Sequence, residues 1–257
     1  MPSDIEWPEL AASLVLVAVA VALSMVRSLR LERTILWASA RAAVQLLLVG
    51  FALEAVFDRT IAWSWAWVFA MVAFAADTVR RRAPEVPGVM MLSLVAFGAA
   101  AVVTLGVLFG LSVFPLEPQT LIPLAGMMVG NAMTATVLVA RRVLEELRDK
   151  RDEVEARLAL GLPSAEAAQP YVRAALRTAL IPQIETTKSV GLVFLPGAMT
   201  GLILAGVDPL DAVRVQIAVM YLVLGSVATT VTIVGLGVQR RLFTADHRLT
   251  VPARPAD

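Results

Sequence analysis

The stretch AVRVQIAVMYLVLGSVATTVTIVGLGV, residues 212–238, holds a single ionisable side chain, Arg214, and residues 215–238 are uncharged. The hydrocarbon core of a bilayer, about 30 Å thick, is crossed by a helix of about 20 apolar residues. A spanning segment must also pair its backbone groups internally, as a helix does. The stretch therefore predicts a transmembrane helix.

Six further stretches of similar length and polarity precede it. The seven predicted spans are Glu9–Val26, Ile35–Phe57, Ile61–Thr78, Gly88–Phe114, Leu121–Ala140, Lys188–Val207 and Ala212–Val238. They predict an all-α fold, a polytopic membrane helix bundle of about seven transmembrane helices. We expect one transmembrane domain over residues 1–257, with a cytoplasmic loop at about 141–187 and a polar tail at 239–257.

The composition excludes several classes of protein. Of the 257 residues, 58% are hydrophobic and only 17% charged, which is too apolar for a soluble domain. The absence of cysteine removes disulfides and thiolate metal sites, and one histidine, His247, cannot form the usual zinc constellations. The chain also lacks a Gly-x-x-x-x-Gly-Lys phosphate loop, so it is not expected to be an ATPase or another enzyme by itself.

The distribution of basic residues predicts the orientation of the chain. Lys and Arg near the ends of spans stay in the cytoplasm. Segments 27–33, 80–87, 141–188 and 239–257 hold 19 of the 22 basic residues. We therefore predict an N-terminus outside and a C-terminus inside.

The cytoplasmic loop has the pattern of a helical hairpin. Arg141–Leu160 reads as a charged helix, residues 161–164 as a break, and Ser164 as the start of a second helix. A third helical segment is predicted over Pro170–Ile181, ending before Pro182. One interpretation is a solvated hairpin that only connects two spans. The other follows from Glu155, Ala156, Ala159 and Gly161, which resemble the coupling loop of ABC-transporter permeases, where a short helix docks on the ATPase subunit.

Polar and sulfur-bearing side chains inside the predicted spans are candidates for a substrate path, because such groups are expensive in lipid. Oxygen or nitrogen groups come from Arg41, Gln45, Asn131, Thr200 and Gln216, and sulfur from Met127, Met128 and Met199. Structural interpretations stay open beside these: Arg41 can reach the interface, and methionine commonly fills space in helix packing. A path for a soft metal along Met127, Met128 and Met199 is a further hypothesis, and whether a metal binds here stays open.

Two predicted spans contain helix breakers near their middle. They are Pro123, Gly126 and Gly130 in the fifth span and Pro196, Gly197 and Gly201 in the sixth. Proline frees a carbonyl and glycine permits bending or close helix approach. We expect both helices to be kinked there.

Together these motifs resemble the Fet-type iron-export ABC permeases of bacteria, whose plant relatives are half-transporters for aluminium tolerance. The resemblance rests on Arg41 to Gln45, Pro123 to Asn131, Glu155 to Gly161, Pro196 to Gly201, and Gln216. It implies a multi-pass permease of the bacterial inner membrane that forms a homodimer and works by alternating access. ATP and Mg would be bound by a separate ABC ATP-binding subunit, with no cofactor on this chain and no nucleic-acid partner.

Two other functions fit the residues alone. A secondary transporter or channel would use the two broken helices to form a site at the membrane midplane. A membrane scaffold without transport activity would tolerate replacement of Arg41, Gln45, Asn131 and Gln216.

Overall fold

A computed structural model describes residues 11–57 and 60–251 of the chain. Nine α-helices occur in those residues: α1 Leu14–Val26, α2 Glu32–Phe57, α3 Ile61–Arg82, α4 Val89–Gly110, α5 Pro118–Asp149, α6 Arg151–Ala159, α7 Ser164–Ser189, α8 Gly197–Leu204 and α9 Pro209–Arg241. The predicted all-α class is confirmed. The orientation across the membrane stays a prediction.

Five of these helices are long and apolar enough to cross a membrane: α2 (over Glu32–Leu53), α3, α4, α5 and α9. α1 is a shorter apolar helix of 13 residues, and the start of its predicted span, Glu9, lies outside the described residues. The predicted polytopic helix bundle is therefore confirmed as a class.

The chain divides into two compact units, one ending at Thr60 and the other starting at Ile61. In the first unit α1 packs on α2, and the turn between them is closed by Ser24. The Ser24 hydroxyl donates to Glu32 Oε1 at 2.8 Å and accepts from the Leu31 backbone N–H at 3.1 Å. Whether residues 1–257 act as a single domain stays a prediction.

In the second unit α9 is the central helix and packs against α4, α5, α7 and α8. α3 packs on α4 and α5, and the Arg141 guanidinium of α5 donates to the Arg82 carbonyl at the end of α3. Many of the contact positions hold small residues without exposed surface: Ala76, Ala96, Ala100, Ala132, Ala140 and Ala175. Small side chains let helix backbones approach closely, which is how apolar helices gain packing energy in lipid.

The prediction of a continuous sixth span over Lys188–Val207 is wrong. α7 ends at Ser189, residues 190–196 are not helical, and α8 has only eight residues. Gly191 has a left-handed φ of 85°, and Pro196 is extended with ψ of 148° before α8 begins. Since both conformations leave the α region, Pro196 and Gly197 lie at a complete break between two helices and not at a kink.

The helical hairpin predicted over residues 141–187 differs from its prediction at two points. The break after α6 is confirmed, with Gly161 at φ of 89°. However, the predicted helix Arg141–Leu160 is divided at Lys150, and α7 runs through both Pro170 and Pro182 instead of ending before Pro182. Packing outweighs the bonds that the prolines cannot make, because one face of α7 is buried: Tyr171, Val172, Ala175 and Ala179.

Gly235 tests this packing, because a β-carbon there would come within 2.5 Å of Leu176 Cδ2 and 3.3 Å of Val139 Cγ2. We expect Gly235→Val to lower the free energy of unfolding by about 1–3 kcal/mol, the usual cost of overpacking. Thermal unfolding of the purified chain in detergent measures the effect.

The matched control is Gly106→Val on α4, where nothing lies within 4 Å of the added carbon. Equal melting temperatures for the two variants would contradict the assigned junction of α5, α7 and α9.

Candidate substrate cavity and coupling element

A cavity of about 250 Å³ lies between α5, α7, α8 and α9. It brings together residues from distant parts of the sequence. Its lining includes Met127, Asn131, Gln183, Thr186, Pro196, Gly197, Gln216 and Met220. A neighbouring cavity of about 430 Å³ shares Met127 and Gly197 with it and adds Pro123 and Gly201. Five of the predicted residues of the fifth, sixth and seventh spans therefore share one cavity, namely Met127, Asn131, Pro196, Gly197 and Gln216.

Asn131 is held in a defined orientation on α5. Its Nδ2 donates to the Met127 carbonyl, one turn earlier, at 2.8 Å. Because an amide offers its oxygen as a separate acceptor, Oδ1 stays available to a ligand.

Gln216 on α9 is only 4% exposed, and its Oε1 has no hydrogen-bond partner among the described residues. A buried acceptor without a partner costs about 1–3 kcal/mol. Gln216 lines the cavity, but this oxygen has almost no accessible surface, so the amide would have to rotate before a ligand could contact it.

Two of the remaining sulfur and hydroxyl candidates, Met128 and Thr200, have structural partners. Met128 has no exposed surface, and its sulfur accepts from the Thr104 hydroxyl at 3.3 Å. The Thr200 hydroxyl donates to the Pro196 carbonyl at 3.0 Å, and Met199 is half-buried on α8. Only Met127 of the three predicted methionines lines either cavity.

Gln183, Thr186 and Met220 line the 250 Å³ cavity but are absent from the sequence prediction. Gln183 and Thr186 lie beyond Pro182, where the third helical segment was expected to have ended. Their spacing of three residues could have indicated a shared site, because on a helix continued past Pro182 it places both side chains on one face.

Arg41 and Gln45 belong to the first unit and lie one turn apart on α2. Both side chains are exposed. Gly126 is half-buried and Gly130 exposed on α5, and an added β-carbon at Gly126 would meet only the Met71 methyl, at 3.1 Å.

The predicted coupling residues lie on α6 and the turn after it. Glu155 forms a 2.6 Å ion pair with Arg151, and both are about half exposed. Ala156, Ala159 and Gly161 are exposed as well. Of this short helix only Val154 is buried, so most of its surface is open to a partner.

Tyr171 ties α6 to α7. Its hydroxyl donates to Glu153 Oε2 at 2.8 Å, and the Arg157 guanidinium lies 5.6 Å from its ring centroid. The hydrogen bond from Lys150 and the one from Tyr171 lower the pKa of Glu153, so the carboxylate stays ionised at neutral pH. α6 is thereby joined to α7 through polar contacts as well as packing.

The C-terminal turn, residues 242–251, packs against the start of α7. His247 Nδ1 accepts from the Ser164 backbone N–H at 3.3 Å and lies 3.0 Å from the Ser164 hydroxyl. Pro163, which precedes α7, offers no side-chain cap, so His247 takes the place of an N-cap residue. A cleft of about 680 Å³ separates this turn from α6 and is lined by Arg151, Glu155, Gly161 and His247, among others. The sequence indicated only a polar tail here.

Five helices that are long and apolar enough to cross a membrane define a multi-pass membrane protein. Residues 7–243 match the family described as Uncharacterised protein family (UPF0014), and the chain belongs to this family.

Three relatives show how far the similarity extends. The chain is 43% identical to the UPF0014 membrane protein STAR2 of Oryza sativa subsp. japonica, over 84% of this chain and 76% of that protein. It is 34% identical to the probable iron export permease protein FetB of Escherichia coli K12, over 94% of both chains. It is 38% identical to the protein ALUMINUM SENSITIVE 3 of Arabidopsis thaliana, over 84% of this chain and 80% of that protein. No solved structure matches the chain.

Gln216 and Gln239 are two buried glutamines on α9 with different partners. Gln239 is 7% exposed and its Nε2 donates to the Ala165 carbonyl at 3.1 Å. We expect Gln239→Leu to lower the melting temperature in detergent, since it leaves that bond unmade. Gln216→Leu should leave the melting temperature unchanged or raise it, because it removes an unpaired acceptor. A drop of equal size in both variants would show that Gln216 is paired.

The His247 contact predicts a local effect at the start of α7. Replacing His247 by alanine removes a cap, which in helices costs about 0.5–2 kcal/mol. Hydrogen exchange of the amides at Ser164–Ala167 should become faster, while Asp246→Ala, a change in the neighbouring exposed residue, should leave it unaltered. Unchanged exchange in His247→Ala would exclude the capping role.

Proposed function

We propose that this chain is the permease subunit of an ABC transporter that exports iron or another metal, powered by ATP that a separate subunit binds with Mg and hydrolyses. The printed name of the bacterial relative, a probable iron export permease that matches over 94% of both chains, supports both the class and the cargo. Two such permeases would pair in the bacterial inner membrane, with two ATPase subunits and with no cofactor on the permease itself.

The observation that carries the proposal is the position of α6. It follows α5 directly after Lys150 and packs on α7. These two helices supply Asn131 and Gln183 to the cavity. A force applied to α6 by a partner therefore reaches two walls of the cavity.

The mechanism we infer is alternating access. α5 is a helix of 32 residues, and about 33 Å separate Met127 from its cytoplasmic end at 1.5 Å per residue. Closure of the ATPase pair would displace α6, and α5 and α7 would carry that movement to the cavity. The break at residues 190–196 lets α8 move separately from α7, so the cavity can open on one side at a time.

A secondary transporter is the second candidate, and the same break favours it. Discontinuous helices beside a cavity are typical of transporters driven by ion gradients. The two mechanisms differ in their need for an ATPase subunit.

The test is co-expression with an ATP-binding subunit of the ABC class, followed by co-purification and an ATPase assay with and without Fe²⁺. We expect a stable complex with metal-stimulated hydrolysis. Gly161→Val should abolish most of the stimulation, because a β-branched residue is strained at φ of 89°. Glu155→Ala should reduce it by removing the Arg151 ion pair from the exposed face of α6.

Glu145→Ala serves as the matched control, since it removes an exposed carboxylate from α5 instead of α6. It should leave the stimulation intact. Metal efflux from vesicles that contain the permease alone, driven by a proton gradient, would reject the ABC mechanism in favour of the secondary transporter.

A further inference from the structure

The end of α7 carries two charged side chains on the outside of the helix bundle. Glu185 and Lys188 form an ion pair with 2.8 Å between the Glu185 carboxylate and the Lys188 Nζ. Their side chains are 59% and 65% exposed. The pair is thus open to whatever lies next to this part of the bundle, and its depth in the membrane decides what that neighbour can be.

Helix α5 places this pair at the depth of the hydrocarbon core. Thr186, next in sequence to Glu185, lines the 250 Å³ cavity together with Asn131 of α5. Asn131 lies 14 residues after Glu117 and 10 residues before Arg141, and the sequence between those two residues is uncharged. At 1.5 Å per residue these separations are about 21 and 15 Å, in a core about 30 Å thick. The ion pair at the end of α7 therefore lies near the middle of the membrane.

The unwound residues that follow α7 add exposed backbone at the same depth. Residues 190–196 are not helical, and five of them, residues 191–195, are exposed. Leu192 and Val193 are the most open of these, at 92% and 80%. We call residues 185–196 the open segment, because it combines an exposed ion pair with an exposed stretch of non-helical backbone.

Lipid is an unsuitable neighbour for the open segment. Charged side chains at membrane depth are expensive in hydrocarbon and face protein or a water-filled cavity instead. Non-helical backbone at that depth is tolerated under the same condition. Two different features therefore require that another polypeptide covers this segment. The proposed ATPase subunit, a soluble protein, does not reach this depth.

The charges favour a second copy of this chain as that neighbour. Between two identical surfaces related by a two-fold axis, residue i of one copy contacts residue j of the other, and j contacts i. Glu185 and Lys188 complement each other in such a pair, because each acid meets a base. The middle of α2 offers a poorer match, since Arg41 is its only charged residue between Arg33 and Glu54 and would repel Lys188.

We propose that two copies of this chain meet through the open segment, with Glu185 of each copy paired to Lys188 of the other copy near the middle of the membrane. The inference rests on the proposed pairing of two permeases, and it specifies the face that pairs. Thr186 belongs both to the open segment and to the lining of the 250 Å³ cavity. The cavity of each copy then lies beside the interface, so that cargo leaving it passes between the two copies and not into lipid.

Cross-linking tests which face pairs. The chain contains no cysteine, so a single introduced cysteine reports on one position. Leu192→Cys and Val193→Cys are made separately in the full chain and treated with a short bifunctional maleimide in membranes that contain no ATPase subunit. We expect cross-linked dimers from at least one of them. Val102→Cys, at a residue 76% exposed near the middle of α4, is the matched control and should stay monomeric.

Charge reversal tests the ion pairs across the interface. Glu185→Lys gives each copy two positive charges in the open segment, and Lys188→Glu gives two negative charges, so the pair within one copy is lost in both variants. Copies of one variant should repel each other, whereas a mixed pair restores opposite charges across the interface. We expect co-purification of differently tagged copies to be at least about tenfold higher for the mixed pair than for either variant with itself.

The matched control is the exposed ion pair between Arg142 and Glu145 of α5, which has the same spacing of three residues. Arg142→Glu and Glu145→Arg should show no preference for mixed pairs. The proposal is overturned if neither Leu192→Cys nor Val193→Cys gives a dimer, or if the mixed pair of charge variants is no more abundant than the like pairs. Should the charge variants fail to fold, as judged by thermal unfolding in detergent, the two cysteine variants decide the matter.

The transport function and the interface fail separately. Absence of an ATPase complex would reject the ABC mechanism and leave the cross-linking result unaffected. Dimers from Val102→Cys but not from the open segment would reject this interface and leave metal-stimulated ATP hydrolysis possible. Absence of dimers from all three cysteine variants would also reject it and would indicate that the open segment is covered from within one chain.

Discussion

A hydrocarbon core offers no water to pair with backbone N–H and C=O groups, and the second unit of this chain is built around that constraint. α3, α4, α5 and α9 satisfy it by remaining helical over 22 to 33 residues. Their contacts use alanine and glycine at positions such as Ala132 and Gly235, which bring the backbones close. α9 is the common partner of four other helices, so the positions of the cavity residues all depend on it.

Residues 190–196 are the exception, since they leave the helix close to the cavity. The Val193 N–H donates to the Ser189 carbonyl and the Gly191 N–H to the Phe194 carbonyl, both at 3.0 Å, so the turn pairs part of its own backbone. The helix ends on either side supply the remaining polar groups. In membrane proteins an unwound segment is tolerated where it borders protein or a water-filled cavity. Here Phe194 and Pro196 of the segment line the 250 Å³ cavity, whereas Leu192 and Val193 are 92% and 80% exposed.

The cavity and the coupling element are joined by the same two helices. α5 carries Asn131 near its middle and leads into α6 at its C-terminal end. α7 contacts α6 through Tyr171 and contributes Thr186 to the cavity. His247 adds a further contact, at the start of α7. In the mechanism proposed, a partner that docked on the exposed face of α6 would act on the cavity through α5 and α7 themselves.

Much of this could be predicted from residue order alone, for local reasons. Apolar runs such as residues 215–238 can form nothing but a helix in lipid, and Gly161 and Ser164 mark a helix boundary by their own backbone preferences. The polarity of Asn131 and Gln216 within those runs also identified them as site candidates. Only the tertiary structure decided that α7 passes through Pro182 and that Lys188–Val207 is broken, because packing on α5 and α9 outweighs what proline and hydropathy favour locally. The tertiary structure also decided that Gln183 and Thr186 lie in one cavity with Asn131 and Gln216. Their proximity depends on how four helices pack together, and local sequence patterns do not predict contacts between distant helices.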